Sequence, residues 1–335
     1  MGKNAERHRK RVLIALPCLI ISIIGSVGLY IYSRTYAKAM RLGMSMTPDA
    51  FDSIMKRAVP ALIGMAVAAI MIAMVSLCFQ TVTQSRILTP SMIGFDSVFV
   101  GIQTLLVFAF GSESRLFMNP YWNYLISAGA MIAVSMLMYG FILRRNKNNV
   151  VFLLMFGLVL SGIVRNGARY LQIIMTERDF MQVQAATSVT VNNMNTKIIF
   201  LALPIMLVVI AALMRKHRVL DIMSLGGDNA KSLGVPYEKN VNSSLIIISL
   251  GMSVATALIG SLAFLGLLAV NIARELLRTH KHLPLFIVSS ALAALTLILG
   301  QAVVELLQGA VPVTAIIDLT GCSYMFYLIL KENRI

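Results

Sequence analysis

Charge is what this chain lacks. Only 13% of its 335 residues are Asp, Glu, Lys or Arg, roughly half the share found in soluble domains. Acidic residues are the scarcer kind, 14 against 29 Lys and Arg, for a net charge of +15. That shortage argues against a water-soluble fold and leaves few carboxylates for acid–base chemistry. Cysteines number three, too few for a disulfide framework or a cysteine metal site; Cys18, Cys78 and Cys322 all lie in apolar runs and read as small core residues. The four histidines, His8, His217, His280 and His282, fall outside the apolar runs. Bare metal ions therefore have no evident path, and His280 and His282 read as solvated interfacial groups. No HExxH, no nucleophile elbow and no carboxylate pair in a hydrophilic cleft is found. Gly226-Gly-Asp-Asn-Ala-Lys-Ser232 lacks the GxxxxGK spacing of a phosphate loop and follows an apolar run rather than a strand. The chain reads as a non-enzyme with no metal and no directly bound cofactor. If ATP drives it, a partner subunit holds the nucleotide.

What is there in quantity is hydrocarbon. Hydrophobic residues make up 58% of the chain and mean hydropathy is +0.81. A bilayer core needs about 20 apolar residues per helix, and ten segments qualify: 12–32, 59–79, 92–110, 122–143, 150–174, 198–214, 241–260, 262–279, 283–306 and 313–330. The expectation is an all-α polytopic membrane protein, about ten helices in one bundle, with residues 1–335 as a single domain. The run from Ser243 to Ala273 would reach about 46 Å as one helix, so it is split at Gly260-Ser261, where a break costs least. The basic N-terminus, Met1 to Arg11, reads as the flank of an uncleaved first span.

The basic residues cluster at span ends, which makes them an orientation signal rather than a nucleic-acid footprint. With ten spans both termini are cytoplasmic, 19 of the 29 Lys and Arg face the cytoplasm and seven lie outside. Five of those seven sit in the loop 33–58: Arg34, Lys38, Arg41, Lys56 and Arg57. Three basic residues remain inside spans or at their edges, Arg165, Arg169 and Lys197.

Several ordered stretches resemble the permeases of the iron-siderophore and vitamin B12 ABC importers, the FecCD-type family. Gln80-Thr-Val-Thr-Gln-Ser-Arg-Ile-Leu-Thr-Pro-Ser-Met-Ile-Gly-Phe-Asp-Ser97 is similar to that family's cytoplasmic loop and third-span start. Leu225-Gly-Gly-Asp-Asn-Ala-Lys-Ser-Leu-Gly-Val235 is similar to its coupling loop, here about 216–240. Gly260-Ser-Leu-Ala-Phe-Leu-Gly-Leu-Leu-Ala-Val-Asn-Ile-Ala-Arg274 resembles its Gly-Pro-Ile-x-Phe-x-Gly-Leu segment, and Pro312-Val-Thr-Ala the start of its last span. Arg86-Ile-Leu-Thr in place of Asn-Pro-Leu-Ala, Val270-Asn271 in place of Pro-His, and Phe95-Asp-Ser97 resemble the branch that imports catecholate siderophores of the petrobactin or enterobactin kind.

The resemblance implies a type II ABC importer permease in a bacterial cytoplasmic membrane. Its implied partners are an ABC ATPase dimer, a second permease (a heterodimer, with a homodimer as the alternative), an extracytoplasmic siderophore-binding lipoprotein and membrane lipids, but no nucleic acid. Heme or cobalamin are the alternative cargoes, and a membrane-embedded enzyme is the competing class. Three sites follow. Ser224, Leu225, Gly226, Gly227, Ala230, Leu233 and Gly234 would form the ATPase-coupling helix, with Ser224 as N-cap, Gly234 as stop, and Leu225, Ala230 and Leu233 seated in a groove of the ATPase; an ordinary connecting loop is the competing reading. Lys56, Arg57 and Arg41 would dock an acidic lobe of the binding protein, against the alternative of a solvated loop. Arg165 and Arg169 are four apart on one helical face; one or the other would pair with Asp318 and line the path, or else form an ion pair that only fixes packing. Glu305 reads as an interfacial carboxylate.

Overall fold

The computed structural model describes residues 17–36, 48–145, 150–189, 196–307 and 310–332. Among them lie thirteen helices, one 3-10 turn and no strand. Ten sit where the sequence places spans: α1 (Pro17–Tyr36), α2 (Pro48–Val82), α3 (Phe95–Phe110), α5 (Pro120–Arg145), α6 (Val150–Ile174), α8 (Thr196–Met223), α10 (Tyr237–Ile259), α11 (Leu265–Leu277), α12 (His282–Leu306) and α13 (Val313–Glu332). Six helices, α1, α2, α5, α8, α10 and α12, are long and apolar enough by themselves to cross a membrane. The remaining three are short: α4 (Arg115–Met118), α7 (Glu177–Thr187) and α9 (Gly227–Ser232).

The core forms around α2. Its stretch from Met71 to Val82 is buried on every side, as expected for a helix apolar all round, and it packs against α8, α10, α11 and α12. α3 and α6 run side by side at the periphery. Glycine permits their close approach: a β-carbon on Gly157 would lie 2.1 Å from Ile93 Cγ2, in the 3-10 turn Pro90–Ile93 that precedes α3.

The expected break between the seventh and eighth spans is present. α10 ends at Gly260, whose φ of +88° is available to glycine at little cost. The chain then descends without helical structure to Leu265, so α11 has only 13 residues, about 20 Å. It starts beside Ile72 and Ser76 of α2, well inside the bundle, because the non-helical segment 260–264 covers the first part of the return from Gly260.

Four expectations on boundaries and burial are corrected. α2 begins at Pro48, so Lys56 and Arg57 stand on a helix rather than in a loop. α7 was not foreseen; Thr176 caps it, accepting from Asp179 N and donating to Asp179 Oδ2 at 2.8 Å, a side-chain cap that satisfies first-turn N–H groups. Of the three cysteines only Cys78 is buried; Cys18 and Cys322 are exposed. Glu305 is buried rather than interfacial.

Candidate functional site

One end of the bundle carries α9 together with the last turns of α2, α8 and α11 and the first turn of α12. α9 is short but sharply bounded. Gly226 opens it at φ +97° and Gly234 closes it at φ +81°. Gly234 N–H donates to Lys231 O at 2.9 Å and Val235 N–H to Ala230 O at 3.0 Å, the paired closure that a left-handed C′ residue permits. Gly234 thus stops the helix as its sequence context suggests. Ser224 does not cap it: the N-cap is Gly226, and Ser224 Oγ instead donates to Asp221 O at 2.7 Å, closing α8. Nor does Ala230 face outward. It is 0% exposed and pins α9 to the body, whereas Leu225 at 56% and Leu233 at 61% stand free on either side. The exposed apolar pair flanks a buried anchor, so α9 forms a small knob seated on the body.

Beside α9 a cleft of about 890 Å³ opens, lined by Gln84, Arg86, Asp221, Ser224, Leu225, Arg274, Arg278 and Lys281 among others. Its wall holds a residue misplaced by the sequence reading. His282 is 2% exposed, not solvated. Asp221 Oδ1 accepts from the His282 backbone N–H at 2.6 Å and lies 2.7 Å from His282 Nδ1; His282 Nε2 lies 2.7 Å from Thr81 Oγ1. A histidine beside Lys281 gives no sequence hint of burial; the approach of Asp221 from α8 creates it.

The second polar concentration lies along α3, α6 and α13, and its pairing differs from the expected one. Among the described residues neither Arg165 nor Arg169 forms an ion pair with Asp318. The reason is neighbourhood: α6 packs on α3 and α5, whereas α13 packs on α11 and α12. Arg165 donates to Ser97 Oγ from NH2 at 3.1 Å, and Ser97 Oγ lies 2.7 Å from Ser161 Oγ. Arg169 lines a shallow cavity with Gln172 and Phe180. Asp318 meets the Phe264 backbone N–H, and its Oδ1 is buried without a hydrogen-bond partner. A further charged residue, Asp96, sits on the first turn of α3. Its carboxyl faces Ser91 and Ser261, with Asp318 and Arg165 both within electrostatic reach. Asp96 was missed as a site residue, although an acid one turn into an apolar run is a signal in its own right.

At the opposite end, Lys56 Nζ bonds Asp52 Oδ2 at 2.6 Å across one helical turn, both side chains being exposed, and Arg57 is exposed beside them. Arg41 and Lys38 lie outside the described residues. Arg34 stacks over the ring of Tyr30. Arg178 and Glu113 pair at 2.7 Å, joining α7 to the α3–α4 turn.

With this geometry in hand, the likeness to known proteins is specific. The family model described as the FecCD transport family matches residues 14–331. Petrobactin import system permease protein YclO of Bacillus subtilis is 38% identical over 264 residues, 78% of this chain and 84% of that protein. Petrobactin import system permease protein FatC of Bacillus anthracis is 24% identical over 334 residues, 99% of this chain and 92% of that protein. Among solved structures, a metal-chelate type ABC transporter in an inward-facing conformation superposes with a TM-score of 0.79 at 19% identity, covering 97% of this chain and 99% of the other. That likeness shows the fold.

Proposed function

We propose, from the premise that this chain belongs to the FecCD transport family, that it is the permease of an ATP-driven bacterial importer whose cargo is a ferric catecholate siderophore of the petrobactin kind. It is a transport subunit, not an enzyme. The observation carrying the cargo is the 38% identity to a petrobactin import permease over most of both chains; heme and cobalamin have no comparable support. The protein sits in the cytoplasmic membrane with both termini inside and the α9 end facing the cytoplasm. An ABC ATPase dimer grips the α9 knob through Leu225 and Leu233, with the backbone turns at Gly226, Gly227 and Gly234 setting its outline.

A second permease covers the face that carries Arg165 and Arg169. Both arginines are exposed on this single chain while apolar neighbours on the same helix, such as Ile163 and Tyr170, are exposed too. A guanidinium facing hydrocarbon is costly, so such residues turn to a protein partner or a water-filled path. A heterodimer with the path running between the two permeases satisfies this. Arg165, Arg169, Asp96 and Asp318 then line it, and a binding protein docks at the opposite end near Lys56, Arg57 and Arg41.

The direct test is iron-radiolabelled uptake by proteoliposomes holding this chain, its partner permease, the ATPase and the binding protein. ATP-dependent accumulation of ferric petrobactin, in preference to ferric hydroxamates, heme and cobalamin, is expected. Equal or greater accumulation of any of those competitors overturns the cargo assignment. A second measurement addresses the path. Asp96→Asn and Asp318→Asn are expected to assemble at normal levels and to lower uptake about tenfold, the effect of about 1.4 kcal/mol on a transport barrier. Loss of assembly instead assigns these carboxylates to packing.

A further inference from the structure

The cytoplasm-facing turn after α2 holds a residue of the wrong type for its backbone. Gln84 has φ +53°, a left-handed conformation that side chains other than glycine seldom adopt. It occupies the C′ position of α2: Gln84 N–H donates to Thr81 O at 3.4 Å and Ser85 N–H to Gln80 O at 3.1 Å, the closure that Gly234 performs for α9. Glycine would meet the backbone requirement at no steric cost, so a glutamine here calls for a reason in its side chain. Gln84 Nε2 donates to Thr81 O at 2.8 Å and to Met223 O at 2.9 Å, crossing from α2 to α8. Met223 is the last residue of α8, and its carbonyl also accepts from Gly226 N–H at 3.1 Å, at the root of α9.

A second tie runs alongside the first. Asp221, one turn-fraction before Met223, holds the His282 backbone N–H and Nδ1, and His282 Nε2 meets Thr81 Oγ1. A carboxylate only accepts, so Nδ1 carries its proton and the ring is fixed in orientation. Asp221 also satisfies one of the free N–H groups at the start of α12, where negative charge is favoured. Together the two ties fasten the root of α9 to the end of α2 and the start of α12. Ala230 seats α9 on the ends of α8 and α10; without the two ties, the end of α8 from which α9 leaves would be held to α2 and α12 by packing alone.

We propose that Gln84, with Thr81, Asp221 and His282, forms a latch that makes the end of α8, the root of α9, move with α2 and α12, so that force received at α9 and passed to α8 is shared with both helices. These are positioning residues; none is assigned contact with cargo or nucleotide. The inference rests on the reading of α9 as the ATPase-contacting element.

The test uses the complete importer in proteoliposomes, with ATP hydrolysis and iron uptake measured on the same sample. Gln84→Gly removes the bridge and relieves the backbone; Gln84→Glu keeps the size and loses the amide donors. Either variant is expected to lower the uptake obtained per ATP hydrolysed, and Gln84→Gly combined with His282→Gln to lower it about tenfold, with Gln84→Gly melting at or above the wild-type temperature. The latch is overturned if uptake per ATP is unchanged in the double variant, or if uptake and hydrolysis fall together in proportion to lost assembly. Ala230→Arg serves as the control for the underlying reading. If it blocks uptake while the latch variants behave as wild type, the latch alone fails; if it too leaves uptake intact, the role of α9 fails and the latch with it.

Discussion

Replacing Ala230 with arginine is expected to abolish uptake while leaving the protein in the membrane. The methyl group of Ala230 is wholly enclosed between α9 and the ends of α8 and α10. An arginine there must either bury an unpaired charge or leave. Burying one uncompensated charge costs about 3–5 kcal/mol, more than a six-residue helix with no side-chain N-cap can hold in place. The outcome is therefore detachment of α9, not unfolding of a bundle whose core lies elsewhere. A bias of about 3 kcal/mol against the seated position lowers its population roughly a hundredfold, and uptake falls with it. Lys231→Ala is the matched control: Lys231 is exposed and pairs with exposed Glu238 at 3.4 Å, a surface pair of small value, so its loss leaves uptake near wild type. The comparison needs membrane-fraction immunoblots beside iron uptake. Normal uptake by Ala230→Arg refutes the assignment of α9.

The helical bundle was legible because membrane length is a property of composition. Every segment read as a span contains a helix, and the break at Gly260 was recoverable from charge parity and the presence of a glycine. The stop at Gly234 was legible for the same reason: a left-handed closure has one preferred residue. Ends not set by hydrocarbon were less legible. α2 starts at Pro48 and α8 runs on to Met223 because a helix does not stop where apolarity does.

Partners across helices were the least legible feature. Counting residues along spans five and ten places Arg165 and Asp318 at similar depth, but depth says nothing about which helices touch. With α3 beside α6 and α11 beside α13, Arg165 turned to Ser97, and Asp96 became the residue in reach of both charges. His282 failed for the opposite reason. Its chain neighbours are polar and suggest solvent, while Asp221, 61 positions away, supplies the partner that makes burial affordable.

The largest effect on assembly is expected at Gly266. α11 is too short to be fixed in depth by hydrophobic length, so its contact with α2 sets where it stops. A β-carbon on Gly266 would lie 2.0 Å from Ser76 Oγ, 2.7 Å from Ser76 Cβ and 3.2 Å from the Ile72 carbonyl oxygen, and no rotamer of Ser76 clears its own β-carbon. Gly266→Ala must push α11 off α2, an overpacking cost of about 1–3 kcal/mol or more. The displacement reaches the site directly. Phe264, whose N–H meets Asp318, and Ser261, which faces Asp96, belong to the segment that leads into α11, and Asn271 Nδ2 further down α11 donates to Arg86 O at 3.1 Å. Gly266→Ala is accordingly expected to lower both the yield of assembled importer and the uptake of what assembles. Rescue should be graded by the atoms removed from the other side. Ser76→Ala takes away only Oγ and restores part of the loss; Ser76→Gly also removes the β-carbon and restores more, less the cost of about 1 kcal/mol for glycine inside a helix. Thermal denaturation of the purified complex and uptake, measured on the same four proteins, check the order. If Gly266→Ala is no worse than wild type, or Ser76→Gly fails to improve on Ser76→Ala, the close approach of α11 to α2 is not what fixes the position of the 260–264 segment.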